Sequence, residues 1–418
     1  MIQEISANRV LGYHLGKNSR WCVKPGDRVQ KGSPIARGER WLHAASSGVV
    51  TRVDTVLVVD VDVDVDVQPD RRDSTMPPLD AETVDAAELV ERVHSAGIEG
   101  LGGGGYPTHL KLLAALRNSV HTIVINAVEC EAGISCDSAL ARWHAHDLLT
   151  ALIALHRLPG VNQVTIACSG VTRPEITGNF DIHELTRVRP TDGEERHLLK
   201  RLFNVDIPRH LYPVGAGYLV INIGTLLAIG EALAGKPLTR RLVTLADGVR
   251  WIPIGLPVAS LVLTPFYRSG GPLSGVISRT SEAFIDKTAN AISEFNIVAS
   301  AGCIRCGRCD DVCPEALPVT QLLAFAAVGN LERLSALDLG NCIECGLCNP
   351  VCPSQINVLR ELRTGLDALN ADEARTTAKQ TALARSTQHA QRLEEVERFQ
   401  ADRRAARLAR IRGGHLDD

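Results

Sequence analysis

Eight of the twelve cysteines in this 418-residue chain fall into two runs of one pattern. Cys303, Cys306 and Cys309 are followed by Cys313-Pro314, and Cys342, Cys345 and Cys348 by Cys352-Pro353. C-x2-C-x2-C-x3-C-P is the thiolate spacing that holds [4Fe-4S] clusters. Tight turns bring three sulfurs to one face of a cubane, and in two-cluster ferredoxins the fourth cysteine of each run serves the other cluster. One cluster is therefore expected on Cys303, Cys306, Cys309 and Cys352, and the second on Cys342, Cys345, Cys348 and Cys313. Zinc ribbons also use paired C-x2-C, but four ligands suffice for a zinc and the proline has no role there. Gly307 and Gly346 supply the backbone freedom that lets amides approach cluster sulfurs. The chemistry predicted is one-electron transfer. Cys22, Cys130, Cys136 and Cys168 lack ligand spacing and are read as unligated thiols without a role.

A second candidate lies at Gly100-Leu101-Gly102-Gly103-Gly104-Gly105-Tyr106-Pro107-Thr108-His109-Leu110-Lys111, between two stretches of helical pattern. Consecutive glycines leave amides free to approach a phosphate or a flat ring. The loop lacks the Gly-Lys-Ser/Thr of a Walker motif and is not placed like a Rossmann fingerprint. By itself it is equally the signal of a flexible loop.

The elements that must position these residues are legible in outline. Cys22 to Val53 is punctuated as short strands and turns and resembles the barrel-sandwich domains of biotinyl and lipoyl carriers, without a carrier lysine. From Val56 to Val67 valine alternates with Asp60, Asp62, Asp64 and Asp66, which predicts a strand with one solvated face; the glycine and closing glutamate of a calcium loop are missing. Between Asp80 and Ala234, helices at Ala86–Ser95 and Ala139–Leu155 alternate with strands at Thr122–Asn126 and Val164–Cys168. That alternation predicts an α/β domain on a largely parallel sheet. Leu242 to Leu263 reads as strands and turns, Ile297 to Leu359 as the helical cluster module, and the tail with Arg403, Arg404, Arg407, Arg410 and Arg412 as a solvated helix. The domain boundaries expected are 1–75, 76–238, 239–290, 291–362 and 363–418. A net charge of -3, a pI near 6.5 and 4% aromatic residues argue against a nucleic-acid partner. The longest uncharged apolar run, Gly217 to Gly230, is shorter than a membrane span, and no basic-then-apolar leader opens the sequence, so a reducing, cytoplasmic setting is expected.

The glycine loop resembles the flavin loop of the NADH-oxidising subunit of complex I and of its relative, the C subunit of Rnf complexes. Three segments support the resemblance in the same order: Asn126-Ala127-Val128-Glu129-Cys130-Glu131, Gly193-Glu194-Glu195, and Asn222-Ile223-Gly224-Thr225. With two clusters, the Rnf protein is the closer likeness, over about Cys22 to Leu359. The resemblance implies a multi-domain α/β chain: a barrel-sandwich-like β domain, an α/β flavin domain, a β-grasp (SLBB-like) domain and a two-cluster ferredoxin-like domain. It implies FMN on Gly100, Gly102, Gly103, Lys111, Asn126, Glu129, Glu194, Asn222 and Thr225, and NADH on Tyr106, Glu131 and Glu195. It further implies a peripheral subunit on the cytoplasmic face of a bacterial inner membrane, partnered by other subunits including a ferredoxin-like one, that couples NADH/ferredoxin electron flow to ion translocation. Gly104, Tyr106, Val128 and Ala132-Gly133 depart from the family's Ala, Phe, Asp and Pro-Tyr. A soluble reductase similar to cobalamin reductases, and a cluster relay with an empty nucleotide pocket, remain as alternatives.

Overall fold

The computed structural model describes residues 10–16, 18–54, 56–61, 75–129, 134–143, 145–169, 180–186, 188, 190–208, 211–245, 248–257, 276–278, 285, 291–293 and 302–413. Its contacts divide the chain into two units, Met1–Val319 with Asn341–Arg360, and Thr320–Gly340 with Glu361–Asp418.

The first unit opens on strands kept short by glycine and proline. β1 (Val10–His14), β2 (Ser19–Trp21), β3 (Arg28–Val29), β4 (Pro34–Gly38), β5 (Leu42–His43), β6 (Gly48–Val53) and β7 (Val56–Val61) form two sheets, ordered β1-β7-β6-β3 and β2-β4-β5. They close on Leu11, Ile35, Val50, Leu57 and Val59, all fully buried. Tyr13, buried among them, accepts the Ala45 N–H at 2.9 Å, and burial pushes its phenol pKa up. Only glycine fits at Gly48, where a Cβ would stand 2.2 Å from the Asp60 carbonyl oxygen. In β7 the expected alternation holds at Leu57 and Val59, buried, against Asp60, exposed; Asp62, Asp64 and Asp66 lie outside the described residues.

Next come α1 (Ala86–Ser95), α2 (Thr108–Arg117), β8 (Thr122–Ala127), α3 (Cys136–Trp143), α4 (Ala145–His156), β9 (Gln163–Ser169), β10 (Asp181–Leu185), α5 (Glu195–Phe203), β11 (Tyr218–Asn222) and α6 (Ile223–Leu233). Asp85 and Glu88 start α1 with a reciprocal capping box. The four strands are parallel in the order β10-β9-β8-β11, and β8 is buried throughout, as a strand covered on both faces must be. The helix expected over Ala139–Leu155 is covered by α3 and α4, described on either side of residue 144, which lies outside the described residues. α6 meets α4 at backbone contact, since a Cβ on Gly230 would lie 2.2 Å from the Asp147 carbonyl oxygen.

β12 (Arg240–Leu245) and β13 (Gly248–Pro253) pair as a hairpin, and β14 (Val276–Ser278) and β15 (Ala291–Ser293) complete a sheet ordered β13-β12-β15-β14. The cluster module contributes α7 (Arg308–Asp311) and leads into α8 (Val319–Ala327). In the second unit α9 (Leu331–Ala336) packs on the start of α10 (Val358–Gly413), where a Cβ on Gly365 would lie 3.0 Å from Leu334. α10 continues as a helix with Arg403, Arg404 and Arg407 exposed. Among the described residues no helix is long and apolar enough to cross a membrane.

Candidate functional site

In the parallel sheet, β8 has β9 on one side and β11 on the other, so the strand order reverses between β8 and β11. Open α/β sheets bind ligands at the carboxyl ends of the strands flanking such a switch point. Asn126 and Asn222 stand there as direct register partners. A cleft of about 220 Å³ opens above them, lined by Gly100, Gly102, Gly104, Tyr106, Thr108, Lys111, Asn126, Glu129, Asp137, Gly193, Glu195, Asn222 and Thr225 among others.

The glycine loop is folded back on itself and pinned from below. Gly100 N–H donates to the Tyr106 carbonyl at 2.8 Å and Gly105 N–H to the Gly100 carbonyl at 3.0 Å. Gly103 and Gly105 take φ of 102° and 59°, open to glycine at no steric cost. Leu101 N–H donates to Thr225 Oγ1 at 2.9 Å, while its carbonyl accepts from Arg241 Nη2 at 3.2 Å. Gly102 lies so close to Asn222 that a Cβ would approach its Cβ to 3.3 Å, whereas one on Gly104 would meet nothing. α2 starts directly beyond the loop with no side-chain cap and no acidic residue in its first turn, so its positive end, with Thr108 and Lys111, is turned to the cleft.

The polar residues are held by one another. Asn222 Oδ1 caps α6 through the Gly224 N–H at 2.8 Å, and its Nδ2 donates to Asp137 Oδ2 at 2.7 Å. Asn126 donates to the Gly193 carbonyl at 3.2 Å and accepts the Val128 N–H at 3.1 Å. Glu129 Oε1 accepts the Asp137 and Ser138 N–H groups at 2.7 and 3.2 Å. Burial lifts the Asp137 carboxyl to about 6, against the Asn222 hydrogen bond and the Arg241 charge that lower it. Lys111 is paired with Glu195. Tyr106 is 56% exposed at the rim.

Of the residues expected here, Gly100, Gly102, Tyr106, Lys111, Asn126, Glu129, Glu195, Asn222 and Thr225 are brought together, and Glu131 lies outside the described residues. Gly103 and Glu194 do not line the cleft. Gly103 serves the loop's turn, and Glu194 caps α5 by accepting the His197 N–H at 2.9 Å, its carboxyl pKa raised by burial. Sequence reasoning missed Leu101, Asp137 and Arg241. Asp137 opens a helix whose start was placed at Ala139, and Arg241, 4% exposed, reaches the loop from a later domain without any local signal.

The second centre is built as a repeat. Left-handed φ values occur at Arg305, Gly307 and Ala316 and again at Glu344, Gly346 and Gln355, the same positions relative to the cysteines of each run. The turn bonds match too: Cys313 N–H to Asp310 O and Cys352 N–H to Asn349 O, both 3.2 Å. Burial first, then the neighbouring Glu344, Cys345 and Cys313, lift the Cys342 thiol to about 11; burial, with Cys342, Cys345 and Cys309 around it, takes Cys348 to about 12. Crowded thiolates of this kind need metal charge to shed their protons. Among the described residues the only His, Cys, Asp or Glu group drawn within 4.8 Å is Glu129, Cys136 and Asp137, so no three of the eight cysteine sulfurs approach that closely.

Glycine loop, switch-point asparagines and duplicated cysteine turns define a flavin and iron–sulfur redox chain. Family models agree: a Nuo51 FMN-binding domain over residues 93–231, a 4Fe-4S dicluster domain over 302–356 and an RnfC barrel sandwich hybrid domain over 7–67. The C subunit of an ion-translocating oxidoreductase complex from Vibrio cholerae is 32% identical over 371 residues, 79% of this chain and 48% of that one. Its counterpart from Yersinia pestis is 32% identical over 464 residues, covering 97% and 74%. The chain belongs to this family, the C subunits of ion-translocating oxidoreductase complexes. It spans about half the length of several curated relatives it matches. Among solved structures, a chain of an air-oxidised NAD+-reducing [NiFe]-hydrogenase aligns at a TM-score of 0.45 with 17% identity, covering 70% of this chain and 67% of that one, too loosely to bear on chemistry.

Proposed function

We propose that the chain accepts electrons from NADH at FMN in the switch-point cleft and passes them singly to two [4Fe-4S] clusters, as a peripheral subunit of an ion-translocating complex. The observation that carries this reading is the pairing of Asn126 with Asn222 beneath a glycine loop pinned by Thr225 and Arg241. In that site FMN is assigned to Gly100, Gly102, Lys111, Asn126, Glu129, Asn222 and Thr225, while Gly103 and Glu194 shape the loop and the helix beside it. NADH is assigned to Tyr106, Glu131 and Glu195. Gly102 lets the loop backbone lie close over Asn222 at the cleft floor, and the uncapped end of α2 with Lys111 offers amides and a cation to a phosphate. Glu195, now paired with Lys111, would turn to the nucleotide once a phosphate takes that lysine. Bound flavin supplies the means to take a hydride and release its electrons one at a time; the chain's residues orient the ring and exclude water. The clusters are assigned to Cys303, Cys306, Cys309 with Cys352, and to Cys342, Cys345, Cys348 with Cys313. We read β12 to β15 as a β-grasp domain, and the working position as the cytoplasmic face of the membrane, beside a ferredoxin-like subunit.

The test is anaerobic purification, identification of any flavin released, and addition of NADH with flavin and cluster absorbance followed together. Stoichiometric FMN with bleaching by NADH is the expected result. Iron and sulfide for two clusters without flavin would leave a cluster relay and overturn the assignment of the glycine loop.

A further inference from the structure

We propose that electrons enter the dicluster module on the side of Cys313, which helix α5 holds against the cleft, and leave it at the exposed turn Cys303–Cys306. The inference rests on the flavin reading above and goes beyond it by ordering the two centres and naming the residues that set the order.

α5 grows out of the cleft wall. Its first residue, Glu195, pairs with Lys111 of the cleft, and Arg201 on its last turn pairs with Asp192, which is 2% exposed. Leu198 and Leu199 are fully buried against a small core with Val124 and Val220 of the sheet. The helix is therefore fixed along its length. From this strut His197 Nε2 reaches Glu315 Oε1 at 2.7 Å, with only 10% of the glutamate side chain exposed. Glu315 follows Cys313-Pro314, so one hydrogen bond ties the cleft wall to the loop of a cluster ligand. Glu195 and His197 are two residues apart. A group held at Lys111 and a group held by Cys313 are thereby indexed to the same short helix.

The other end of the module differs in exposure although the repeat is the same. Cys303 and Cys306 are exposed, whereas their equivalents Cys342 and Cys345 are partly buried and Cys348 is buried. Ile304 and Ile343 occupy the same position in the two runs, between the first and second cysteine, yet Ile304 is 66% exposed and Ile343 is partly covered. Exposed ligands let an acceptor approach closest to this centre, and Ile304 lies on that approach. The set Cys342, Cys345, Cys348 and Cys313 is thus the inner centre and Cys303, Cys306, Cys309 and Cys352 the outer. Each transfer oxidises the donor and reduces the acceptor by one electron, with no bond made or proton moved. The two electrons of one hydride leave in two passes to a one-electron iron–sulfur protein.

The full cofactor-loaded chain tests this with His197→Ala, the exchanged pair His197→Glu/Glu315→His, and the matched pair Ile304→Asp and Ile343→Asp. H197A should leave flavin bleaching by NADH at the wild-type rate and slow cluster bleaching about tenfold, the change in docked population worth about 1.4 kcal/mol. It should also raise hydrogen exchange over residues 313–317, and the exchanged pair should recover both readouts. I304D should slow reduction of an added ferredoxin while I343D does not, with cluster bleaching by NADH unchanged in I304D. Unaltered cluster bleaching in H197A, or I343D impeding the acceptor as much as or more than I304D, would overturn the order. Wild-type flavin that NADH does not bleach would instead sink the parent reading, while exchange over 313–317 still reports the strut.

Discussion

Asn222→Ala removes two interactions at once, and their sum can be worked out. Asn222 Oδ1 satisfies the Gly224 N–H at the start of α6, a cap whose loss costs about 0.5–2 kcal/mol. Its Nδ2 donates to Asp137, a half-buried carboxylate lining the cleft, and leaving such an acceptor short of a donor costs about 1–3 kcal/mol. The total is roughly 1.5–5 kcal/mol, or roughly 3–20 °C for a domain of this size. Calorimetry on the anaerobically purified chain, following the transition that releases FMN, reads it directly. The pH dependence gives a second signature. With its pKa raised from 3.8 to about 6, Asp137 in the folded state binds its proton more tightly than when unfolded. Its contribution to stability is full below about pH 4 and is lost as pH rises toward 6. Because the Asn222 bond lowers this pKa, N222A should extend the loss to higher pH. A cycle with Asp137→Asn should show the two changes to be non-additive by more than about 0.5 kcal/mol. An N222A chain within about 0.5 kcal/mol of wild type, with the same pH profile, would refute the linked cap and carboxylate.

Lys111→Met should weaken FMN binding by roughly 10- to 150-fold, the worth of a charge-assisted contact of about 1.5–3 kcal/mol, measured by quenching of flavin fluorescence; a change under about twofold would move the phosphate elsewhere. Cys342→Ser and Cys303→Ser should each lower iron and sulfide to about half, and should abolish different cluster signals in electron paramagnetic resonance; loss of the same signal from both would contradict the ligand partition. His109, stacked on His94 at 4.0 Å, has its pKa pushed down to about 4 by burial and then by His94, against the pull of Glu39. Stability present above pH 6.5 should therefore be lost as pH falls toward 4, and His109→Gln should flatten that limb of the profile.

The cysteine runs were readable because three of each cluster's four ligands fall within one short run that closes on Cys-Pro, and the repeat displays that pattern twice. α1 was readable to the residue because Asp85 and Glu88 cap it in the sequence itself. The glycine loop was readable as a motif, but its chemistry alone was ambiguous, and only the likeness of three distant segments tied it to a flavin.

What the sequence determined by itself is the set of groups that can carry electrons and the periodic elements around them, since both depend on neighbours along the chain. What only the tertiary structure decided is which groups meet. Asn126 and Asn222 are paired by the register of two parallel strands, and Arg241 and Thr225 grip Leu101 from more than a hundred residues away. Asp137 acquires its raised pKa from enclosure. Two cysteine runs of one pattern differ in burial: Cys303 and Cys306 face water, whereas Cys342 and Cys345 are partly buried and Cys348 is buried. Burial and long-range pairing are properties of the folded surface, and no local pattern of residue types encodes them.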